Sequence, residues 1–141
     1  MNQSRPIAGA PQMLRDAAFA AMENAYAPYS GFRVGAALLT TSGEIVAGCN
    51  VENSAYGETM CAERVAVAGA VAQGLKSFQE IAIASESEEP APPCGSCRQT
   101  MSEFAPDLRV TSYARNGKQI TWRLAELLPE AFAPDHLRGR M

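Results

Sequence analysis

The sequence lacks the features that mark membrane, secreted and nucleic-acid-binding proteins. None of its apolar runs approaches the roughly 20 residues that a membrane helix needs. Residues 1–9 contain no apolar stretch of the kind found in secretory signals, so we expect a cytoplasmic protein with no membrane partner. Lysine and arginine total 12 against 15 acidic residues, a net charge of −3 without a basic cluster. This balance argues against a nucleic-acid partner.

Histidine, internal repeats and linkers are also scarce or missing. His136 is the only histidine, and we expect it to be solvent-exposed in a polar C-terminal tail, far from every motif. The four cysteines of this leaderless sequence indicate metal ligands or free thiols rather than disulfides. We therefore expect residues 1–141 to form a single domain, with residues 1–10 as a loose tail.

Three cysteines and one glutamate form the pattern that carries the chemistry. Cys61 stands two residues before Glu63, and Cys94 and Cys97 are three residues apart, directly after a proline. Three thiolates hold Zn²⁺ and leave a fourth tetrahedral position for water, which is the arrangement of a catalytic zinc site. We expect one Zn²⁺ per chain, with Glu63 beside it as a proton carrier and not as a ligand.

Both cysteine motifs are expected at the beginning of a helix. The cysteines of the second motif share one face of a first helical turn, and the apolar run 62–72 directly follows Cys61. The positive ends of two helices would lower the thiol pKa values and favour thiolate. Arg64 and Arg98 each follow a motif directly, so we predict that they offset the net negative charge of zinc with three thiolates.

Hydrophobic periodicity and turn residues predict alternating helices and strands along the rest of the chain. The expected helices are residues 11–26, 62–72, 94–104 and 124–128, and the expected strands are 32–40, 44–49, 78–85, 108–114 and 119–123. This order indicates an α/β domain with helices packed on a mixed sheet. The polar stretch 50–59 is either a solvated loop or a loop whose side chains reach a pocket mouth.

Five short stretches resemble the cytidine deaminase family in its short form with three cysteine ligands. They read APYSGF, GCNVEN, CAER, PCGSCRQ and LLP, at residues 27–32, 48–53, 61–64, 93–99 and 127–129. The resemblance implies a single-domain, three-layer α-β-α fold with a five-stranded mixed sheet. It implies zinc-dependent hydrolysis of cytidine and 2′-deoxycytidine to uridine and 2′-deoxyuridine, with release of ammonia, in pyrimidine salvage. It also implies a homotetramer with shared active sites.

The same resemblance implies roles for individual residues. The three cysteines of the motifs would ligate zinc, and the glutamate between them would carry the proton. Asn50 and Glu52 look like the pair that hydrogen-bonds the ribose 3′-hydroxyl, and Phe32 looks like the aromatic residue at the base. The Ala62 backbone and the region of the second cysteine motif would hold the amide edge of the pyrimidine. Phe132 resembles the residue that a neighbouring subunit lends to the pocket.

Plainer interpretations stay open. A structural Cys₄ zinc site that also uses Cys49 explains the thiols, although it leaves Glu63 without a role. Phe32 and Phe132 also fit a purely structural role in the hydrophobic core. Arg64 and Arg98 also fit the exposed surface of their helices. Three function classes remain: a free-nucleoside deaminase, a deaminase of another aminopyrimidine such as an antibiotic or a polynucleotide base, and a non-catalytic zinc protein or thiol redox sensor. Asn50 and Glu52 favour the first, as does the acidic charge balance.

Overall fold

A computed structural model describes residues 10–138, which form five strands, four α helices and two 3₁₀ turns. The helices are α1 Ala10–Met22, α2 Ala62–Ala72, α3 Gly95–Phe104 and α4 Leu124–Leu127. The strands are β1 Val34–Thr40, β2 Ile45–Cys49, β3 Phe78–Ser85, β4 Arg109–Tyr113 and β5 Gln119–Arg123, and the 3₁₀ turns are Tyr56–Glu58 and Pro134–Leu137. Among the described helices, none combines the length and apolarity needed to cross a bilayer.

The five described strands form one mixed sheet in the order β2-β1-β3-β4-β5. The β3–β4 pair is parallel and the other neighbours are antiparallel. A parallel pair needs a crossover connection, and α3 lies within the one between β3 and β4. The chain therefore passes from the end of β3 to the second cysteine motif before it re-enters the sheet.

Helices cover both faces of the sheet, which confirms the predicted three-layer α-β-α architecture. Successive strand residues point to opposite faces, so Ala37 and Leu39 of β1 pack with Leu14 of α1 in one buried cluster. Leu38 packs on the other face in a second cluster with Met101 of α3 and with buried residues of α2. The second cluster lies directly under the two helices that carry the cysteines.

Two strand glycines allow the helices to approach the sheet closely. A Cβ atom at Gly35 would lie 2.0 Å from the carbonyl oxygen of Ala18 in α1. A Cβ atom at Gly48 would lie 2.6 Å from the Ala66 nitrogen and 2.7 Å from the Ala62 oxygen, both in the backbone of α2. Gly35 therefore allows α1 to lie close to β1 on one face of the sheet, and Gly48 allows α2 to lie close to β2 on the opposite face.

The structure moves one bound in each of two predicted elements by two residues or more, and the other bounds agree to within one residue. The first helix ends at Met22 rather than residue 26, because the chain then turns and the Tyr26 amide donates to the Asn50 carbonyl oxygen at 3.0 Å. The first strand begins at Val34 rather than residue 32, because the Asn50 side chain binds the backbone at its start. The predicted tail lies outside the described residues, except that Ala10 is already the first residue of α1.

Candidate active site

Three cysteine sulfurs meet at the beginnings of two helices. Cys61 is the N-cap residue of α2 and Cys94 is the N-cap residue of α3, while Cys97 follows in the first turn of α3. The Sγ atoms of Cys61 and Cys94 are 3.8 Å apart, those of Cys94 and Cys97 are 3.4 Å apart, and all three lie within 4.8 Å of one another. This geometry agrees with the predicted convergence of two helix N-termini on one metal-competent group.

Cys49 lies outside this group. Within residues 10–138, the metal-competent cluster contains the three cysteines of the motifs and not Cys49, which is a half-buried free thiol at the end of β2. It lines a shallow groove of small residues together with Gly48 and Val65. The geometry therefore does not favour a closed Cys₄ site, and three protein ligands leave the open position of a catalytic zinc centre.

The thiols influence one another strongly. Interaction with the Cys97 thiol lowers the pKa of the Cys61 thiol to about 5, with a smaller contribution from the Arg64 guanidinium. The same contact with Cys61 and burial raise the pKa of Cys97. Because neighbouring thiolates repel one another, all three sulfurs ionise together only with a cation between them. The donor set therefore suits a soft divalent cation such as zinc.

Glu63 lies in the first turn of α2, beside the sulfurs and away from solvent. Its side chain is only 5% exposed. Burial raises its pKa to about 7, and the Cys61 thiolate adds to this effect. A carboxyl group with a pKa near the working pH both accepts and donates a proton readily. The burial and pKa of Glu63 suit a proton carrier, and that role stays a prediction.

The two arginines beside the motifs have different surroundings. The Arg64 guanidinium donates to the Thr59 carbonyl oxygen at 3.2 Å and approaches Cys61 Sγ at 4.0 Å. Its buried Nε atom has no hydrogen-bond partner among the described residues. The Arg98 guanidinium instead donates to backbone carbonyl oxygens of Pro93, at 2.8 Å, and Leu127, at 2.9 Å. Among the described residues, no hydrogen bond joins Arg98 to a cysteine sulfur, and its charge role stays a prediction.

A cavity of about 270 Å³ opens onto Cys61 and Glu63. Four of the five residues predicted to contact substrate line this cavity: Phe32, Asn50, Glu52 and Ala62. They come from the loop before β1, the segment after β2 and the beginning of α2. The polar stretch 50–59 therefore reaches the pocket, as one of the two interpretations of the sequence expected.

The amide of Asn50 and the carboxylate of Glu52 are both held in place. Asn50 is buried, its Oδ1 accepts from the Val34 amide at 2.9 Å, and its Nδ2 donates to the Phe32 carbonyl oxygen at 2.9 Å. Glu52 Oε1 accepts from the amides of Tyr29 at 2.9 Å and Ser30 at 3.1 Å. These contacts fix both side chains on the wall of the cavity.

Phe132 lies apart from the cavity of its own chain. Its side chain is 55% exposed, and its ring stacks on His136 with 5.3 Å between the ring centroids. The Gln99 side chain binds its backbone twice, donating to the Phe132 carbonyl oxygen at 2.7 Å and accepting from the amide at 3.3 Å. His136 is solvent-exposed, as expected, and its Nδ1 accepts from the Ala133 amide at 2.9 Å. An exposed aromatic residue with a fixed backbone is consistent with a role in another subunit.

Several lining residues were missed by the sequence analysis, most clearly Ser30 and Ser85. Ser30 lines the cavity and belongs to the APYSGF stretch. Its position two residues before Phe32, a predicted substrate contact, was the signal that could have identified it as a lining residue. Ser85 is the last residue of β3, and strand ends beside a crossover commonly line sites. The other lining residues without an assigned role are Val34, Thr59, Met60, Ile83, Ala91 and Pro92.

Comparison with known proteins agrees with this geometry. Residues 10–113 match the family described as the cytidine and deoxycytidylate deaminase zinc-binding region. A cytidine deaminase of Halalkalibacterium halodurans is 43% identical over 127 residues, which cover 89% of this chain and 96% of the relative. A cytidine deaminase of Sporosarcina psychrophila is 46% identical over 120 residues, which cover 83% of this chain and 87% of the relative.

The fold also matches a solved structure. The crystal structure of cytidine deaminase from Burkholderia pseudomallei superposes with a TM-score of 0.83 at 47% identity, covering 86% of this chain and 98% of that chain. The family match spans the two cysteine motifs and the cavity residues that precede them. The chain therefore belongs to the cytidine and deoxycytidylate deaminase zinc-binding family.

Proposed function

We propose that the protein is a zinc-dependent cytidine deaminase, which hydrolyses cytidine and 2′-deoxycytidine to uridine and 2′-deoxyuridine with release of ammonia. The observation that carries the proposal is the meeting of three thiols and a buried carboxyl group at a cavity whose wall holds an amide and a second carboxylate. Identity of 43% with a cytidine deaminase over 89% of the chain supports the same reaction.

Cys61, Cys94 and Cys97 would hold one zinc ion. When bound by three thiolates, zinc supplies hydroxide as a nucleophile near neutral pH. Glu63 would accept the proton of the attacking water and deliver it to N3 of the cytosine ring, which makes C4 electrophilic. As the carboxylate, it would then take the proton of the new C4 hydroxyl and pass it to the amine, so that the C4–N bond breaks, ammonia leaves and the C4 carbonyl of uridine forms. Burial of Glu63 supports this cycle, because its pKa of about 7 lets the carboxyl group gain and lose a proton at neutral pH.

The cavity wall would recognise a nucleoside. Asn50 and Glu52 would bind the ribose 3′-hydroxyl, Phe32 would pack at the base, and the Ala62 backbone would bind its amide edge. The described cavity lining contains two carboxylates and no lysine, arginine or histidine. A 5′-phosphate or a polynucleotide would therefore meet uncompensated negative charge, whereas a neutral nucleoside would not.

The pocket would be completed by a second copy of the chain. Phe132 is exposed, is held by Gln99 and is not among the residues that line its own cavity. We infer that it enters a neighbouring subunit's pocket within a homotetramer. A role in pyrimidine salvage follows from the proposed products, and a cytoplasmic location is supported by the free thiols that such a zinc site requires.

The test compares kcat/KM for cytidine, 2′-deoxycytidine, 3′-deoxycytidine, free cytosine and a short cytosine-containing single strand, followed by ultraviolet absorbance and ammonia release. We expect turnover of the first two. We expect rejection of the others, because a carboxylate built to bind a hydroxyl discriminates by roughly 10⁴ or more when the hydroxyl is missing. Glu63→Gln protein, purified identically, controls for contaminating deaminase. Preference for the strand or for free cytosine would contradict the proposal.

A further inference from the structure

Ser30 lies at the cavity between two residues that we propose contact the substrate. Its hydroxyl donates a hydrogen bond to Glu52 Oε2, and its amide donates to Oε1 of the same carboxylate at 3.1 Å. The hydroxyl oxygen also accepts from the Phe32 amide at 3.0 Å. One serine side chain thus joins the carboxylate proposed for the sugar to the backbone of the aromatic residue proposed for the base.

The hydroxyl of Ser30 controls which acceptor sites of Glu52 remain free. A carboxylate offers about four lone-pair sites. The amides of Tyr29 and Ser30 occupy Oε1, and the Ser30 hydroxyl occupies one side of Oε2. The same hydroxyl contact is the largest cause that holds the pKa of Glu52 below its ordinary value. Glu52 therefore remains an ionised acceptor with a remaining site on Oε2.

The loop around Ser30 is also shaped by contacts that do not involve this hydroxyl. Gly31 has a backbone φ of +71°, which residues with a side chain rarely adopt. Its amide donates to the Ala27 carbonyl oxygen at 2.9 Å. The Ser30 side chain is exposed and buries little apolar surface. The Gly31 conformation and its backbone hydrogen bond thus help to form the turn, and the Ser30 hydroxyl links this turn to the Glu52 carboxylate.

We infer that Ser30 is a positioning residue for sugar recognition, which orients the Glu52 carboxylate so that its free acceptor site meets the ribose 3′-hydroxyl. Ser30 acts through Glu52 and takes no part in the proton transfers at the base. The inference rests on the proposed function. It goes beyond the proposed function in one respect. Because Ser30 and Tyr29 hold the Glu52 carboxylate, selectivity for the ribose 3′-hydroxyl depends on the loop before β1 as well as on Glu52 itself.

The experiment measures kcat/KM for cytidine and for 3′-deoxycytidine in the zinc-loaded wild-type protein and in Ser30→Ala. Loss of a hydrogen bond to a charged group is expected to lower the value for cytidine by about tenfold or more. The value for 3′-deoxycytidine should change little, because that analogue has no hydroxyl for Glu52 to bind. Ser30→Thr retains the hydroxyl and should restore the preference for cytidine.

Ser42→Ala is the matched control. The Ser42 hydroxyl donates to Glu44 in the turn between β1 and β2, which reproduces the serine–glutamate contact away from the cavity lining. This variant should behave as wild type with both substrates. In a Glu52→Gln background, Ser30→Ala should have almost no further effect on cytidine turnover, since its partner carboxylate is already gone.

The outcomes separate this inference from the proposed function. Equal losses on both substrates in Ser30→Ala, or an unchanged preference for cytidine, would overturn the positioning role while leaving the deaminase activity in place. A further tenfold loss in the Glu52→Gln background would also overturn it. A wild-type protein that does not turn over cytidine would overturn the proposed function and this inference together.

Discussion

Replacement of Glu63 by glutamine separates the chemistry of the site from its stability. The amide has nearly the size of the carboxyl group, so the packing around a side chain that is only 5% exposed should survive. Glutamine does not carry a proton between the attacking water and the base. We expect turnover to fall by roughly 10²–10⁴, the range for lost general acid–base catalysis. Zinc content should stay at one per chain, since Glu63 is not among the three clustered donors.

The same substitution should stabilise the protein at alkaline pH. Burial raises the pKa of Glu63 from 4.5 to about 7. Below pH 4.5 the carboxyl group is protonated in both folded and unfolded chains and has no differential effect. As the pH rises towards 7, the unfolded chain ionises first, so stability is lost, and the loss levels off above 7 at about 3 kcal/mol. Zinc with three thiolates carries a net charge of −1, which disfavours ionised Glu63 in the same direction.

Urea unfolding of zinc-loaded wild type and Glu63→Gln at several pH values between 6 and 8 measures this effect. The variant should be more stable at pH 8, and the difference should shrink as the pH falls. Glu80→Gln is the matched control, because Glu80 is another buried carboxyl group with a pKa raised by burial, yet it lies 3.9 Å from Arg109 and outside the cavity lining. It should retain turnover. Normal turnover in Glu63→Gln, or lower stability at pH 8 with zinc retained, would refute the reasoning.

Three further predictions concern the metal, the helix packing and the subunit contact. Cys94→Ala should lose zinc by elemental analysis, whereas Cys49→Ser should keep it, and zinc loss in the latter would revive the Cys₄ site. Gly48→Ala should lower the unfolding free energy by about 1–3 kcal/mol through overpacking against α2. Gly69→Ala, whose Cβ would meet Val46 at 3.6 Å, should be neutral or stabilising, and equal effects would contradict the close-approach argument. Mixing Phe132→Ala and Glu63→Gln chains under subunit exchange should raise turnover above the mean of the separate variants. No gain would argue against a shared pocket.

Much of the fold could be predicted because its signals are local. The bounds of α2, β3 and β5 agree with the sequence expectation, since each is a short apolar or β-branched run between clear turn residues. The end of α1 could not be predicted in this way. The helical spacing of small residues continues through Ala25, but a tertiary hydrogen bond from Tyr26 to the Asn50 backbone draws the chain out of the helix. The part of the site that is encoded locally was also predictable, because motif spacing identified the three thiols and Glu63.

Contacts between distant loops were not predictable from spacing. Ser30 and Glu52 are 22 residues apart, and nothing in either stretch indicates that one orients the other. Arg98 follows the second cysteine motif as directly as Arg64 follows the first, yet its guanidinium binds the Leu127 carbonyl oxygen and ties α4 to α3. Sequence proximity to a thiolate therefore did not distinguish an arginine that approaches a sulfur from one that supports the packing of a helix.

The two carboxylates of the cavity lie in different environments, which supports the proposed division between substrate recognition by Glu52 and proton transfer by Glu63. Glu52 accepts hydrogen bonds from Tyr29 and Ser30, which lower its pKa, so it remains an acceptor at neutral pH. Glu63 is buried beside the sulfurs, which raises its pKa to about 7, so it gains and loses a proton over the same range. Environments that move two neighbouring pKa values apart are a general means of assigning acid–base roles. Here the separation follows from position: a loop rich in backbone donors surrounds one carboxylate, and the first turn of a buried helix encloses the other.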